Sequence, residues 1–427
     1  MLKNAGLTGI FFIFGNTISE IMSHIRYLTA GESHGKTLAV IIEGFPSNLR
    51  IDIDKINLEL SRRQGGYGRG GRMKIEKDTA EIVSGVRFGK TTGSPISVLV
   101  RNRDWENWGT KMSVEPVDEE IEKIVIPRPG HADLVGVTKY NLDDIRNSIE
   151  RSSARETAVR VVAGAFAKQL LSQYGVEISS FVESIGGVNG SGDLYFRLLN
   201  NEDVIFTEIL KIAEESELRI PDPEKEEEIK ERIRLAKKEG DTLGGVFAVV
   251  ARGLVPGVGS FVHYDRKLDA AISHSMMSIN AVKGVEIGTG FEGAAVPGSM
   301  VHDEIILRDG VISRKTNRAG GIEGGTTNGE SILVRAAMKP IATLMMPLRS
   351  IDLSSFEEID ARRERSDFTA VPACAVIGES VLAWTLAEFY LDKFGGDSVE
   401  ESVDNFTQYK NRIYQRLREN FGRDHES

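Results

Sequence analysis

Ile145-Arg-Asn-Ser-Ile-Glu150-Arg-Ser-Ser-Ala-Arg155-Glu-Thr157 lies within the most strongly patterned stretch of the chain. Between residues 142 and 174, apolar or small residues recur at Ile145, Ile149, Ala158, Val162, Phe166 and Leu170, mostly four apart. Gly175 stands where such a helix would end. The spacing predicts one long helix over 142–174. Its middle is irregular, because Arg151-Ser-Ser-Ala-Arg155 interrupts the apolar stripe with small hydroxylic residues. Either another group approaches the helix closely there, or the segment is a solvated face. Composition alone leaves both readings open.

Upstream, residues 62–72 read Arg62-Arg63-Gln-Gly-Gly-Tyr-Gly-Arg69-Gly-Gly-Arg72, four arginines among five glycines in a chain of net charge −10. Guanidinium forks match carboxylate and phosphate oxygens, and glycine lets backbone come close to a ligand. Two occupants fit such a loop. One is a small phosphorylated or multiply carboxylated substrate, and the other is RNA. Apolar residues at Ile56, Leu58 and Leu60 suggest a short helix over 52–63 that delivers the arginines at its C-terminal end.

The 427 residues, 41% hydrophobic and 27% charged, fit a soluble globular protein with a substantial core. The acidic balance argues against general binding to nucleic acid or to a membrane surface. Cys374 is the single cysteine, so no internal disulfide can form, and a reducing cytoplasm fits. Its apolar neighbours mark it as an inert packed thiol. No apolar run reaches the roughly 18 residues of a membrane span. Residues 1–24 hold a short apolar run after Lys3 without a clean cleavage site. They read as a disordered extension, or as an upstream start with Met22 the true one, rather than as a signal peptide.

Strand-like runs occupy 26–30, 38–44, 95–101, 244–259, 300–307 and 331–335, with a turn at Gly31-Glu-Ser-His-Gly35. Residues 221–240 are charge-dense with a sparse apolar seam, a solvated surface helix. Helical patterns around 382–393 and 403–418 close the chain. No repeat, linker or composition break appears, so residues 25–420 read as a single domain.

None of the seven histidines (His24, His34, His131, His263, His274, His302, His425) has the spacing or cysteine company of a metal site. His34 lies in a turn between Ser33 and Gly35, and His131 follows Arg128-Pro-Gly. Each suits proton donation to a leaving group, although either one alone reads more readily as a hydrogen-bonded structural histidine. Gly324-Gly-Thr-Thr-Asn-Gly329 can cradle phosphate with backbone N–H groups but lacks a Walker lysine.

Taken together, Arg26-Tyr-Leu-Thr-Ala-Gly-Glu-Ser-His-Gly35, the loop 62–73, Arg128-Pro-Gly-His-Ala-Asp133, Glu150-Arg-Ser-Ser-Ala-Arg-Glu-Thr157 and Arg365-Ser-Asp367 resemble the chorismate synthase family. The resemblance covers about residues 25 to 393. It implies a lyase that converts 5-enolpyruvylshikimate 3-phosphate to chorismate and phosphate by 1,4-anti elimination. That is the last common step toward aromatic amino acids, and it needs reduced FMN without net redox change. The implied fold is α+β, a β-α-β sandwich of two antiparallel sheets enclosing a helical layer, assembled as a homotetramer. Some relatives also reduce flavin with NADPH, an NADP-linked activity. No added nucleotide motif is visible here, so an external reduced-flavin source is expected.

By the same resemblance, Arg63, Arg69, Arg72, Arg155 and Arg365 grip the substrate's anionic groups. His34 is the general acid near the leaving phosphate. His131 protonates or stabilises the reduced flavin, and Asp367 lies near its N5. Ser33 and Ser153 support these groups. Ser153, Asn280, Gly325, Thr326, Lys339, Thr343 and Arg365 line the flavin pocket, and no metal is implied. Arg62 matches none of these positions and reads as solvated or structural. Phe88 (where many relatives have histidine), Phe368 and Ala342 depart from the family pattern without removing a proposed catalytic group.

Overall fold

Alternating apolar residues build the first sheet. In β2 (Thr37–Glu43) Leu38, Val40 and Ile42 point inward, and in β4 (Ile96–Arg101) Ile96, Val98 and Val100 do the same. With β1 (Arg26–Ala30) and β3 (Ala80–Ser84) they form a four-stranded antiparallel sheet in the order β1-β2-β4-β3. The computed structural model describes residues 25–70, 77–202, 206–308, 310–363 and 367–421. The proposed N-terminal extension, Arg72 and Arg365 all lie outside the described residues.

A second antiparallel sheet has five strands: β5 (Glu177–Ile185), β6 (Val188–Asn189), β7 (Gly245–Arg252), β8 (Val282–Ile287) and β9 (Ile332–Met338), in the order β8-β9-β7-β5-β6. β7 is buried on both faces. Phe247, Val249 and Ala251 join the main core, while Ala248 and Val250 pack with Phe181, Leu333 and the helix Leu194–Leu199. A continuous rather than alternating apolar strand follows from that double burial.

Six helices matter for the site: α1 (Ile53–Gln64), α2 (Asp133–Tyr140), α3 (Ile145–Ser152), α4 (Thr157–Leu171), α5 (Leu268–Met277) and α6 (Val371–Phe394). α4 packs on the four-stranded sheet, α6 packs on the five-stranded sheet, and the two helices pack against each other. α6 is long and apolar enough to cross a membrane by length and composition, but 89% of its most apolar stretch is buried inside the protein. It begins at Val371, well before the expected 382. Being buried all round, it has no polar face to mark its limits.

The expected single helix over 142–174 is two helices. Ser153 adopts an extended ψ of 141°, and its hydroxyl accepts from the Arg155 N–H at the start of a 3-10 turn (Ala154–Glu156) before α4 begins. A serine that caps a new turn competes with helix continuation, which is why the hydroxylic residues interrupt the stripe.

Where α4 meets α6, Gly164 lets the two backbones nearly touch. A Cβ placed there would lie 2.3 Å from Ser380 Cβ and 2.5 Å from Ser380 Cα. Gly164→Ala is therefore expected to lower the unfolding free energy by about 1–3 kcal/mol, through overpacking of the helix pair. Chemical denaturation checks this, and an unchanged midpoint would contradict so close a crossing.

Candidate active site

The bend between α3 and α4 organises the site. Glu150, in the last turn of α3, accepts the His34 backbone N–H on Oε2 at 2.8 Å and faces His34 Nδ1 with Oε1 at 2.9 Å. Its carbonyl accepts the Ser33 N–H at 3.0 Å. The Asn102 side-chain amide closes the same turn on the carbonyls of Ser33 and Gly35. Trp108 stacks on the His34 ring, with centroids 3.8 Å apart. Ser153 donates to Ser33 across 3.2 Å between the hydroxyl oxygens. Ser33, His34 and Ser153 are thus brought together.

Two arginines converge on the same bend. Arg63, at the end of α1, donates from Nε to the Thr157 hydroxyl and from Nη2 to the Ala154 carbonyl, each at 2.9 Å. Arg155 pairs with the buried Asp78 at 2.5 Å, while the Arg63 guanidinium stands 3.7 Å from the same carboxylate. Two guanidinium groups thus reach one carboxylate.

The Arg-Gly loop is clamped to the chain around Asp367. Arg69 Nη1 binds Asp367 Oδ2 at 2.9 Å, the Gly70 N–H donates to Oδ1 at 2.6 Å, and the Phe368 N–H donates to the Gly68 carbonyl at 2.8 Å. Arg62 is buried rather than solvated, correcting one of the two expectations for it. It reaches Glu379, which is fully buried on α6, and also Glu59 and Glu214.

His131 belongs to a third group. Its Nδ1 faces the buried Asp133 at 2.5 Å, and Arg128 binds both Asp133 oxygens, at 2.9 and 3.1 Å. Arg128 also donates to the Thr343 hydroxyl, and Lys339 Nζ donates to the Gly130 carbonyl. The Lys339 N–H bonds the Ala281 carbonyl, and the neighbouring Asn280 amide donates to the Ser152 carbonyl at 3.0 Å. His131, Lys339, Thr343 and Asn280 therefore connect back to the Ser153 bend.

Gly325 and Thr326 do not. The Gly325 carbonyl accepts the Leu268 N–H at the start of α5, whereas Asn280 follows its end. The ten residues of α5 span roughly 15 Å, so within one chain these two groups lie at opposite ends of a helix. The buried Thr326 hydroxyl and the buried Arg69 Nε find no hydrogen-bond partner among the described residues. The Lys339 ammonium, bonded to the Gly130 carbonyl beside His131, and the His131 ring bring donors together on one loop, which fits an anionic, acceptor-rich cofactor such as reduced flavin.

The sequence reading gave no role to Glu150, Asp78, Asp133, Arg128, Trp108 or Thr157. Glu150, Thr157, Arg128 and Asp133 stood inside the quoted motifs, so proximity to a candidate histidine or arginine was the available signal. Asp78 and Trp108 carried none. The Phe88 side chain is 90% exposed at a positive φ of 51°, with the Arg87 guanidinium 4.7 Å from its ring centroid.

Burial pushes the Asp133 carboxyl up, but hydrogen bonds from His131 and Arg128, with the Arg128 charge, outweigh it and hold the group well below the usual carboxylate range. A depressed folded value stabilises the protein above the ordinary value near 3.9, and that stabilisation is lost as pH falls below it. Asp133→Asn is expected to cost about 3 kcal/mol at neutral pH, with the gap to the parent narrowing below about pH 4. Urea unfolding at pH 7 and pH 3.5 checks this, and a gap constant with pH would contradict it.

Comparison with known proteins matches the chorismate synthase family over residues 25–391. The chain is 54% identical to chorismate synthase of Aquifex aeolicus over 394 residues, covering 92% of this chain and 99% of the relative. It is 53% identical to that of Alkaliphilus metalliredigens over 385 residues, covering 90% of this chain and 99% of that one. A crystal structure of a chorismate synthase aligns with TM-score 0.74 at 45% identity, over 92% of this chain and 98% of the other.

Proposed function

The chain belongs to the chorismate synthase family, and from that premise we propose how its residues divide the work of the elimination. The protein is a carbon–oxygen lyase of the shikimate pathway, converting 5-enolpyruvylshikimate 3-phosphate to chorismate and phosphate. The observation that carries the assignment is the convergence on one bend. Glu150, Ser153 and Thr157 lie within eight residues and hold His34, Ser33 and Arg63 by direct contacts, and Arg155 between them shares Asp78 with Arg63.

The substrate brings one phosphate and two carboxylates. Arg63 and Arg155 bind anionic groups, joined by Arg69, Arg72 and Arg365. Local positive charge then overcomes the repulsion of an acidic protein. His34 donates the proton that accompanies phosphate departure, and a preorganised imidazole needs no reorientation to do so. Ser33 and Ser153 supply hydroxyls beside it. Asp367, held by Arg69 and the Gly70 N–H, is placed to accept the C6 proton or pass it on.

The family uses reduced flavin, and FMN is the cofactor proposed here. When bound, it supplies electron density to the breaking carbon–oxygen bond and recovers it as the C6–H bond breaks. Ser153, Asn280, Lys339, Thr343 and Arg365 would hold it, and His131 would meet its ring nitrogens. Gly325 and Thr326 join this set on the resemblance alone, since α5 separates them from Asn280 in one chain.

We also read the fold as a β-α-β sandwich over a single domain, 25–420. The packing of α4 and α6 between the two sheets supports this. A cytoplasmic homotetramer, fed by an external source of reduced flavin, completes the reading. The buried lone thiol of Cys374, pushed up to about 12 by burial, suits a reducing compartment.

The test is anaerobic phosphate release from 5-enolpyruvylshikimate 3-phosphate with and without reduced FMN. Release should depend on the flavin, and His34→Ala and Asp367→Asn should each slow it by about 10²-fold or more. Unchanged rates in both variants would overturn the site assignment while leaving the family intact.

A further inference from the structure

We propose that Glu150 is a positioning residue that fixes the proton on His34 Nδ1, so that Nε2 is the nitrogen that exchanges a proton with the leaving phosphate. This rests on the assignment of His34 as the general acid. The argument begins with which groups can donate. The His34 backbone N–H can only donate, and it bonds Glu150 Oε2 at 2.8 Å. The ring Nδ1 lies 2.9 Å from Oε1 and 3.0 Å from Oε2. An ionised carboxylate offers only acceptors, so Nδ1 must carry hydrogen in both the charged and the neutral ring.

The proton balance follows. Before the step the imidazolium holds hydrogens on Nδ1 and Nε2. The Nε2 hydrogen goes to the phosphate oxygen as the carbon–oxygen bond breaks, and the ring remains as the Nδ1–H tautomer already bonded to Glu150. No second proton has to move at the histidine. Glu150 is 3% exposed and sits in the last turn of a helix capped by Asp144, and Trp108 stacks on the imidazole, so the ring has little room to turn. Carboxylates that hold a histidine tautomer in this way are a general device of acid–base and metal sites.

The sharpest consequence concerns Glu150→Gln, which keeps size and removes charge. Its single amide oxygen is claimed by the His34 backbone N–H, which accepts no other kind of partner. The amide NH2 is then turned toward Nδ1. Two donors cannot face each other, so Nδ1 becomes the acceptor, the neutral ring carries its hydrogen on Nε2, and the imidazolium is disfavoured.

Two measurements test this. In the full-length protein without flavin, 15N spectra of labelled histidine, with His34 identified by its loss in His34→Ala and the pH raised until the ring is neutral, should show the Nδ1–H tautomer. Glu150→Gln should convert it to Nε2–H. Finding Nε2–H in the parent would overturn the proposal, even if the variant fails to fold. In the flavin-dependent assay, Glu150→Gln should lower kcat by about 10²-fold with little change in KM, because both Glu150 oxygens are engaged by His34. Adding it to His34→Ala should cost nothing further. A slow His34→Ala beside a fully active Glu150→Gln would sink this inference and leave the assignment of His34 standing. A fully active His34→Ala would remove the assignment itself.

Discussion

A single carboxylate, wholly buried on α6, ties the helical core to the loop that carries the arginines. Glu379 accepts from Arg62 at 2.7 and 2.9 Å, from Lys168 at 2.6 Å, from the Ser180 hydroxyl at 2.5 Å and from Arg219 at 3.2 Å. Those partners come from α1, α4, β5 and the segment leading to the surface helix Pro223–Glu239. Burial alone would push the Glu379 carboxyl up, but Arg62, Lys168 and Arg219 reverse that and hold it well below the carboxylate range. Likewise burial pulls Arg62 down, and Glu379, Glu214 and Glu59 more than restore it. Removing one member would strand the others as buried charges, so the set holds together as a unit. Its neighbour Ser380 makes the close contact with Gly164, so charge and packing fix the α4–α6 crossing at the same point.

That anchoring explains how adjacent arginines take different work. Successive helix residues project about 100° apart. At the end of α1, Arg62 therefore reaches inward to Glu379 while Arg63 reaches the start of α4. One guanidinium holds the structure, and the next stands beside Asp78 and the start of α4. Arg63 is fixed by a neutral carbonyl and a hydroxyl as well as standing near a carboxylate.

Much of this was legible in the residues. Strand positions near 26–30, 38–44 and 95–101, and the helix ending in the arginines, followed from alternation and spacing. The motifs around His34, His131 and Ser153 pointed to one chemistry. Three things were not legible. The helix over 142–174 is broken because Ser153 caps a new turn, and apolar periodicity is blind to a cap in mid-stripe. The start of α6 was missed because a helix buried on every side has no periodicity to read. The partners Glu150 and Asp78 act across the fold, with Glu150 meeting His34 across 116 residues and Asp78 meeting Arg155 across 77. Nor can spacing show that α5 stands between Gly325 and Asn280.

In the proposed function, the substrate's phosphate and the acid that protonates it meet at the Ser153 bend. The most direct measurement is a crystal structure with 5-enolpyruvylshikimate 3-phosphate and oxidised FMN bound. The account predicts the phosphate within about 3 Å of His34 Nε2, with Arg63 and Arg155 on the substrate's anionic groups. A phosphate bound elsewhere, with the His34 ring touching neither substrate nor flavin, would contradict it.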